Sequence, residues 1–346
     1  MSAPAAANRR IVLVSRPQGR PTLDSFRLEE TSVPGIQAGE ILLRTVWLSL
    51  DPYMRGRMSD APSYAAPVEI GAVMTGGTVA RVEQSLHPDF RIGELVVAMS
   101  GWQDYAVSKG RDVVKLPPAV SHPSYALGVL GMPGMTAYIG LLDYGKPQPG
   151  ETVVVAAATG AVGSLVGQIA KIKGSRVVGI AGGAEKCAWA TGQLGFDACV
   201  DHRSEDFPAR LAAACPRGID VYFENVGGKV FRAVVPLLNA HSRIPLCGLI
   251  SLYNDARGSP DGETAQSFLR TVLIKRITVR GFIVSDTYAQ RSAEVLAALE
   301  SWLREGRIKY REDVVRGLEN APSAFIGLME GRNFGKLIVD VGGTHP

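Results

Sequence analysis

The stretch TVVVAAATGAVGSLVGQIAK, residues 152–171, begins as an apolar strand-like segment, passes through small residues and continues as a helix-like pattern. Ala157, Gly160 and Gly163 occupy the three small-residue positions of a dinucleotide-binding turn. The first permits a tight turn, the second lets backbone N–H groups approach a pyrophosphate, and the third allows the helix to pack closely on the strand. The same spacing also occurs in ordinary tight turns, so the surrounding sequence decides between a ligand site and a structural turn.

The residues that follow alternate between short apolar segments and helix-like segments. The strand-like segments are RVVGIA (176–181), ACVD (198–201), DVYF (220–223), IPLC (244–247) and ITVRGFIV (277–284). The helix-like segment 292–304 places Val295, Leu296, Leu299 and Leu303 on one face. This alternation predicts βαβ units and a parallel sheet covered by helices on both faces. In that context the small-residue turn indicates a dinucleotide site at the start of a helix, whose N-terminus favours phosphate.

The residues before about Pro123 have a different pattern, rich in strands and turns. Short β-type segments, IVLV (11–14), EILLRTVWLSL (40–50), GTVARV (77–82) and ELVVAM (94–99), are bounded by Gly, Pro and Asp. They predict an antiparallel, barrel-like module, which two late strand-like segments (309–318 and 335–341) are expected to rejoin. The first ten residues, MSAPAAANRR, have no signal-peptide core and are predicted to form a frayed tail.

Composition and charge exclude several classes of protein. The chain of 346 residues is 46% hydrophobic and 20% charged, which is typical of a core-forming protein and not of a disordered one. The net charge of +4 comes without a run of like charge, so no nucleic-acid partner is expected. Residues 126–142 are interrupted by Pro133 and glycines, which favours a buried helix over a membrane span. The cysteines have no disulfide-framework or metal spacing, so a reduced, cytoplasmic protein is predicted.

The end of the second apolar segment indicates which dinucleotide binds. A cofactor with a free ribose 2′-OH generally meets an Asp or Glu at this position. Here Gly182 and Gly183 follow the strand, and Lys186 comes within one helical turn. The glycines leave room for a 2′-phosphate and Lys186 can neutralise it, while Glu185 is expected to face solvent. The sequence therefore predicts NADPH.

Metal-dependent alcohol chemistry is not expected. A catalytic zinc needs three protein ligands, and a structural zinc needs four. The antiparallel module has no cysteine, and its histidines, His87 and His122, both precede proline in turn-like contexts. No metal site is predicted, and the chemistry expected is hydride addition to a carbon that is already electrophilic.

Five motifs along the chain carry a family resemblance. They are SLDPYMRGRM (49–58), AATGAVGSLVGQ (157–168), FENVGG (223–228), CGLISLYN (247–254) and GRNFGK (331–336). The chain resembles the zinc-free medium-chain dehydrogenase/reductases over nearly its whole length. Within them it is most similar to the branch of prostaglandin reductases, alkenal double-bond reductases and bacterial curcumin reductases. The resemblance implies a homodimer and an α/β fold with two domains: a GroES-like β-barrel catalytic domain (1–126 and 314–346) and an inserted Rossmann domain with a doubly wound parallel sheet (127–313).

The resemblance also implies which residues bind the cofactor. It assigns the pyrophosphate to Gly160, Ala161, Val162 and Gly163, and the 2′-phosphate to Lys186. It places Asn225, Cys247, Gly248, Ile250, Ser251, Tyr253, Phe282, Ile283, Val284 and Asn333 along the cofactor. One departure concerns the 2′-phosphate: His202 stands where relatives carry tyrosine, with Arg203 beside it, and either residue can contact the phosphate.

The activity implied is NADPH-dependent reduction of an α,β-unsaturated aldehyde or ketone. Hydride addition to the β-carbon leaves negative charge on the carbonyl oxygen, which needs a hydrogen-bond donor. The resemblance points to the Tyr253 phenol, with Tyr53 and Tyr64 shaping the substrate pocket; Tyr253, a water or the cofactor ribose hydroxyl then supplies the α-carbon proton. Arg55 and Arg57 are expected to be exposed at a turn. Two alternatives use the same scaffold: an NADPH:quinone oxidoreductase, or an NADPH-binding protein with little turnover.

Overall fold

The computed structural model describes residues 7–118, 120–254 and 262–342, with side chains from residue 265 onward in the last segment. Residues 1–6 of the predicted tail and residues 255–261 lie outside the described residues. The chain divides into two compact units. We call them the β domain (Met1–Leu127, Glu312–Asn333 and Leu337–Pro346) and the Rossmann domain (Gly128–Arg311 and Phe334–Lys336).

The strands, in chain order, are β1 (Ala7–Leu13), β2 (Phe26–Ser32), β3 (Ile41–Ser49), β4 (Thr78–Ser85), β5 (Leu95–Ala98), β6 (Tyr105–Ser108), β7 (Val114–Lys115), β8 (Thr152–Ala156), β9 (Arg176–Ala181), β10 (Ala198–Asp201), β11 (Ile219–Phe223), β12 (Leu238–Leu246), β13 (Thr278–Gly281), β14 (Glu312–Arg316) and β15 (Lys336–Asp340). The α-helices are α1 (Tyr53–Arg57), α2 (Met132–Ile139), α3 (Gly163–Ile172), α4 (Ala184–Gly192), α5 (Phe207–Ala214), α6 (Gly228–Val234), α7 (Gly262–Lys275), α8 (Tyr288–Arg304) and α9 (Ala321–Met329). None of the helices in the described segments combines the length and apolar character needed to cross a membrane.

The β domain is built on an antiparallel sheet that joins both ends of the chain. Its strand order is β14-β15-β3-β4-β5-β7, and β6 also pairs with β3. The late strand β15 runs antiparallel to β3, with Val339 opposite Leu48. The late strand-like segments therefore return to the N-terminal module, as the sequence predicts. The core beneath centres on Trp102, whose ring stacks on Phe26 at 5.6 Å and meets Phe325 edge-on at 5.7 Å.

The predicted frayed tail is wrong for residues 7–10, because β1 begins at Ala7. This strand pairs antiparallel with β2 in a register that sets Ala7 opposite Ser32. Asn8 is buried, and its side-chain amide donates to the Tyr105 carbonyl (3.1 Å) and accepts from the Tyr105 N–H (2.9 Å). Arg9 pairs with Asp104 at 2.9 Å. The polar residues that suggested a tail are thus the partners that hold this strand in place.

The Rossmann domain contains a parallel sheet in the order β10-β9-β8-β11-β12-β13. In this order the chain reverses direction across the sheet between β8 and β11, and ligands of such folds bind at the carboxyl ends of the strands at that point. All of β8 is buried, which explains its continuous apolar sequence. The last predicted strand, 277–284, is shorter than expected: β13 ends at Gly281 and the chain then leaves the sheet edge.

Candidate functional site

The small-residue turn lies at the carboxyl end of β8, directly before α3. Ala157 has φ +52°, in the left-handed region, and its carbonyl accepts the Gly160 N–H at 2.9 Å. A Cβ on Gly163 would lie 2.2 Å from the Ala157 carbonyl oxygen, so only glycine lets α3 begin this close to the turn. The four residues that the sequence assigns to the pyrophosphate, Gly160 to Gly163, therefore form the turn and the first residue of α3.

A second feature, which we call the cationic recess, lies at the tip of β9 and consists of Gly182, Gly183, Lys186, His202 and Arg203. A Cβ on Gly182 would lie 3.0 Å from His202 Nε2 and 3.0 Å from Arg203 Nε, so the imidazole and the guanidinium form one wall. Lys186 lies half-buried in the first turn of α4, whereas Glu185 is exposed, as predicted. The recess thus presents basic side chains where an NAD-specific enzyme would present a carboxylate.

The carboxylate of Asp201 binds the backbone of the recess. Its Oδ1 accepts the N–H groups of Gly183 and Arg203, each at 2.9 Å. Burial raises the pKa of Asp201, but these hydrogen bonds outweigh it and hold the pKa below its usual range. Asp201 therefore stays ionised and shapes the recess by holding its backbone.

His202 is the titratable member of the recess. Its ring is half-buried, and its Nδ1 is buried without a hydrogen-bond partner. Burial lowers the pKa of His202, and the positive charges of Lys229 and Arg203 lower it further. These surroundings therefore favour the neutral imidazole over the charged one.

The turn after β11 joins several of the predicted cofactor residues. Glu224 is fully buried, and its Oε1 accepts the N–H groups of Val226 (2.6 Å) and Gly227 (2.9 Å). The amide of Asn225 donates to the Ala156 carbonyl at 2.8 Å, which ties this turn to the end of β8. The structure therefore brings Asn225 next to the strand that enters the small-residue turn.

Backbone hydrogen bonds join the segment after β12 (residues 247–253) to the same turn after β11. The Cys247 and Gly248 N–H groups donate to the Glu224 carbonyl, at 3.0 and 3.2 Å. The Ile250 N–H donates to the Asn225 carbonyl at 3.2 Å, and the Ser251 N–H to the Val226 carbonyl at 3.0 Å. Five predicted residues, Cys247, Gly248, Ile250, Ser251 and Tyr253, thus lie on one segment held by the turn.

The chemistry available on this segment is that of a phenol rather than a thiolate. Burial raises the pKa of Cys247 to about 12, and nearby Glu224 adds to the shift. Tyr253 is half-buried, and its Oη accepts the Leu249 N–H at the long distance of 3.4 Å. An accepted hydrogen bond polarises a hydroxyl and makes it a better donor. The segment thus carries a phenol whose oxygen already accepts one backbone hydrogen bond.

The remaining predicted cofactor residues lie in two places. Phe282 packs against Phe223 and Tyr144, with ring centroids 6.3 and 5.2 Å away, and the half-buried Ile283 and Val284 follow it. Asn333 closes the β-domain segment that precedes Phe334. Phe334 itself belongs to the Rossmann domain, where the Arg311 guanidinium lies 4.0 Å from its ring centre.

The two predicted substrate tyrosines lie in the β domain. Tyr53 begins α1 and is half-buried; burial and the charge of Asp51 raise its pKa, so its hydroxyl stays protonated. Tyr64 is 64% exposed. The expectation that Arg55 is exposed is wrong: it is 6% exposed, and its guanidinium donates to the Gly19 carbonyl at 2.7 Å. Arg55 is buried because its guanidinium holds the loop that contains Gly19, whose backbone carbonyl needs a hydrogen-bond donor.

Sequence reasoning missed two residues of these sites. Lys229, in the first turn of α6, acts on His202 although it follows a different strand. Glu224 holds the turn after β11 from inside the core. In the sequence, the two residues are visible only as charged residues on either side of the NVGG turn. Their contacts with distant parts of the chain could not be predicted from that pattern.

A parallel sheet with this strand order, a small-residue turn at its carboxyl edge and a separate antiparallel domain define a dinucleotide-dependent oxidoreductase. Comparison with known proteins agrees. Residues 9–116 match the family model described as the N-terminal domain of oxidoreductase, and residues 161–301 match the model described as zinc-binding dehydrogenase.

Three relatives extend this match over 93–97% of the chain. The NADPH-dependent curcumin reductase of Escherichia coli (strain K12) is 58% identical over 336 residues, 97% of each chain. Prostaglandin reductase 1 of Bos taurus is 40% identical over 325 residues, 93% of this chain and 95% of the relative. The crystal structure of CurA in complex with NADPH from Vibrio vulnificus superposes with a TM-score of 0.94 at 60% identity, covering 97% of this chain and 100% of that one. The chain belongs to the medium-chain dehydrogenase/reductase family.

The name of the second family model implies zinc, and the residues present do not fit a zinc site. A catalytic zinc takes three protein ligands from His, Cys or carboxylate side chains. Across the part of the chain that the structure describes, no three His, Cys, Asp or Glu side chains lie together in a way that would hold a metal ion. No chemical step is therefore assigned to a metal.

Proposed function

We propose that the protein is an NADPH-dependent reductase of the C=C bond of α,β-unsaturated ketones and aldehydes, acting without zinc. One observation carries the proposal. A phenol, that of Tyr253, is held by the turn at the carboxyl edge of the parallel sheet, in a chain 58% identical to a curcumin reductase over 97% of its length. The cofactor and the general activity follow from the relatives, whereas the role of Tyr253 and the substrate class are the parts that need a test.

The described residues fit NADPH. The N–H groups of the turn from Gly160 to Gly163 would bind the pyrophosphate, because α3 begins there and its dipole favours phosphate. Lys186, His202 and Arg203 of the cationic recess would bind the 2′-phosphate. When bound, NADPH supplies the hydride.

Tyr253 would stabilise the negative charge that develops on the substrate. Addition at the β-carbon moves charge onto the carbonyl oxygen, and a phenol of pKa ~10 donates to it without losing its proton at neutral pH. The N–H of Leu249 on the phenol oxygen strengthens this donation. The α-carbon then takes a proton from Tyr253, from a water or from the cofactor ribose hydroxyl.

On the β domain, we assign the substrate contacts to Tyr53 and Tyr64. Tyr53 offers a hydroxyl that burial keeps protonated. Tyr64 offers an exposed ring, and flat conjugated ketones pack well on aromatic faces. In the domain division we propose, residues 1–126 and 314–346 carry the substrate contacts and residues 127–313 bind the cofactor.

A homodimer is proposed through the edge of the Rossmann domain. The edge strand β13 is exposed at all four residues, and an uncovered edge strand is a natural pairing surface. Leu273 and Ile274 of α7 are also exposed, by 77% and 57%. Leu273→Glu is expected to shift the mass measured by light scattering from dimer to monomer, while Ile92→Glu on the exposed surface of the β domain leaves it unchanged. A monomeric wild-type protein would contradict this proposal.

A cytoplasmic location stays a prediction.

NADPH oxidation against a substrate panel tests the function. The panel holds a short 2-alkenal, a cyclic and an acyclic enone, a quinone and a saturated aldehyde, each with NADPH and with NADH. We expect turnover of the enal and enones with NADPH and none of the saturated aldehyde. Turnover of the quinone alone would favour the quinone oxidoreductase, and NADPH binding without any turnover would favour a binding protein.

The role of Tyr253 is tested by removing one oxygen atom. In Tyr253→Phe, kcat is expected to fall by about 10²–10³-fold, the loss typical of one donor to a developing oxyanion. The Kd for NADPH and the melting temperature should stay close to those of the wild type. Tyr138→Phe makes the same change at a phenol of α2 outside the site and should leave kcat unchanged. A Tyr253→Phe variant with wild-type kcat would refute this role.

A further inference from the structure

His202 is placed to respond to an anion in the cationic recess. Its Nε2 lies 3.0 Å from the Cβ position of Gly182, so the ring lines the space that glycine leaves open. Its Nδ1 is buried without a hydrogen-bond partner, and burial together with the nearby cations disfavours the charged ring more than Asp201 and the backbone of His202 favour it. The ring is consequently neutral until something in the recess favours its charge.

The charges around this ring come from three elements. Asp201 ends β10 and Arg203 follows His202, and the Asp201 carboxylate already accepts the backbone N–H groups of Gly183 and Arg203. Lys229 comes from the start of α6. The first turn of α4 adds Lys186 and the exposed Glu185. Cations dominate, which is unfavourable for a further positive charge and favourable for a bound dianion.

We propose that His202 takes up a proton when NADPH binds, so that the affinity for NADPH, but not for NADH, falls as the pH rises through neutrality. Lys229 sets the pH range of this effect. The inference rests on the proposed function and its cofactor, and adds that pH regulates the affinity for NADPH through His202. The tyrosine that relatives carry at this position would not provide such regulation, because a phenol does not titrate near neutrality.

The sign follows from linkage. In the unliganded protein, burial and the charges of Lys229 and Arg203 lower the pKa of His202. A phosphate dianion in the recess raises that pKa again, because an opposite charge favours the charged ring. Between the two pKa values the complex holds one more proton than its separated partners, so affinity falls by up to about tenfold per pH unit. Below about pH 6 the 2′-phosphate itself takes up a proton, which opposes the effect.

The size of the effect is that of converting a neutral hydrogen bond to phosphate into a charged one. Such bonds are roughly twice as strong as neutral ones, so we expect the Kd for NADPH to rise about five- to tenfold between about pH 6.5 and 8.5. The Kd for NADH should stay constant over this range, because NADH brings no 2′-phosphate into the recess.

Calorimetry of NADPH binding gives the direct test. Titration at neutral pH in buffers of different ionisation enthalpy counts the protons taken up, and fluorescence titration gives the Kd of NADPH and of NADH against pH. Wild type should take up a proton with NADPH, and His202→Gln should not. His202→Tyr should bind NADPH tightly but with a flat pH profile. His241→Asn, at an exposed histidine of β12, is the matched control and should behave as wild type.

Lys229→Met separates a charge effect from a structural one. Removing this cation should raise the midpoint of the His202 NMR titration in the unliganded protein, an outcome that a purely structural Lys229 would not give. Equal proton uptake by wild type and His202→Gln would overturn the inference and leave the NADPH preference intact. Equal affinity for NADPH and NADH at every pH would instead overturn the proposed cofactor.

Discussion

The contact between α3 and the small-residue turn supports a prediction about both stability and binding. In Gly163→Ala, the new Cβ would lie 2.2 Å from the Ala157 carbonyl oxygen, 2.9 Å from its carbon and 3.1 Å from the Ala156 oxygen. All three atoms are backbone, so no side chain can turn away. The start of α3 and the end of β8 must separate by about 1 Å to restore ordinary contact distances.

The magnitude follows from this separation. Overpacking of a close contact costs about 1–3 kcal/mol. For a domain of this size, that lowers the melting temperature by about 2–12 °C. The turn N–H groups also move away from the pyrophosphate, and a hydrogen bond to a charged group is worth about 1.5–3 kcal/mol. The Kd for NADPH should accordingly rise about 10- to 150-fold.

Thermal unfolding and fluorescence titration with NADPH measure the two effects. Gly192→Ala is the matched control, since this exposed glycine ends α4 and its Cβ would meet nothing within 4 Å. The control should keep its NADPH affinity and gain up to about 1 kcal/mol of stability from helix propensity. A Gly163→Ala variant with wild-type melting temperature and NADPH affinity would show that the turn tolerates a side chain, and the reasoning would be wrong.

Three further predictions concern single side chains. Lys186→Met is expected to raise the Kd for NADPH about tenfold and leave that for NADH unchanged, because it removes one charged contact to the 2′-phosphate; fluorescence titration decides, and an equal loss for both coenzymes would contradict it. Phe325→Ala should cost about 3–5 kcal/mol in urea unfolding, because it opens a cavity against Trp102, and a loss below 1 kcal/mol would contradict it. Burial raises the pKa of Glu224, so the stability this group contributes is present below its unfolded value near 4.5 and is lost as pH rises through the folded value. In Glu224→Gln that loss disappears, so the stability of the variant relative to wild type should increase with pH; a constant difference would refute it.

The parallel sheet was predictable because its central strands β8 and β9 are buried almost throughout and are therefore apolar along nearly their whole length. β8 and β9 could be read directly from VVVAA and RVVGIA. The end of β13 was not predictable in the same way. Its residues are exposed at the sheet edge, and the apolar residues after Gly281 are there because Phe282 packs on Phe223, a contact that no local pattern reveals.

Polar residues account for the other departures. Asn8 and Arg9 read as a tail by composition, yet their partners are Tyr105 and Asp104, nearly a hundred positions away. Arg55 likewise looked like a surface residue, because the carbonyls that satisfy it belong to a loop from a different part of the sequence. Composition predicts that polar side chains lie at the surface, because burying them without a partner costs free energy. A buried hydrogen-bond partner removes that cost, so such a side chain can lie in the interior.

The hydrogen bonds of the Rossmann domain imply that some substitutions will affect both NADPH binding and the placement of Tyr253, whereas others will affect NADPH binding alone. The carbonyls of residues 224–226 hold the segment that carries Tyr253, and Asn225 joins the same turn to β8. A change inside this turn should therefore alter NADPH affinity and kcat together. His202 lines the cationic recess beside Gly182, outside this hydrogen-bonded unit, so changes there should alter NADPH affinity while saturated kcat stays constant. The two classes of variant thus distinguish residues that position the reaction from residues that only select the coenzyme.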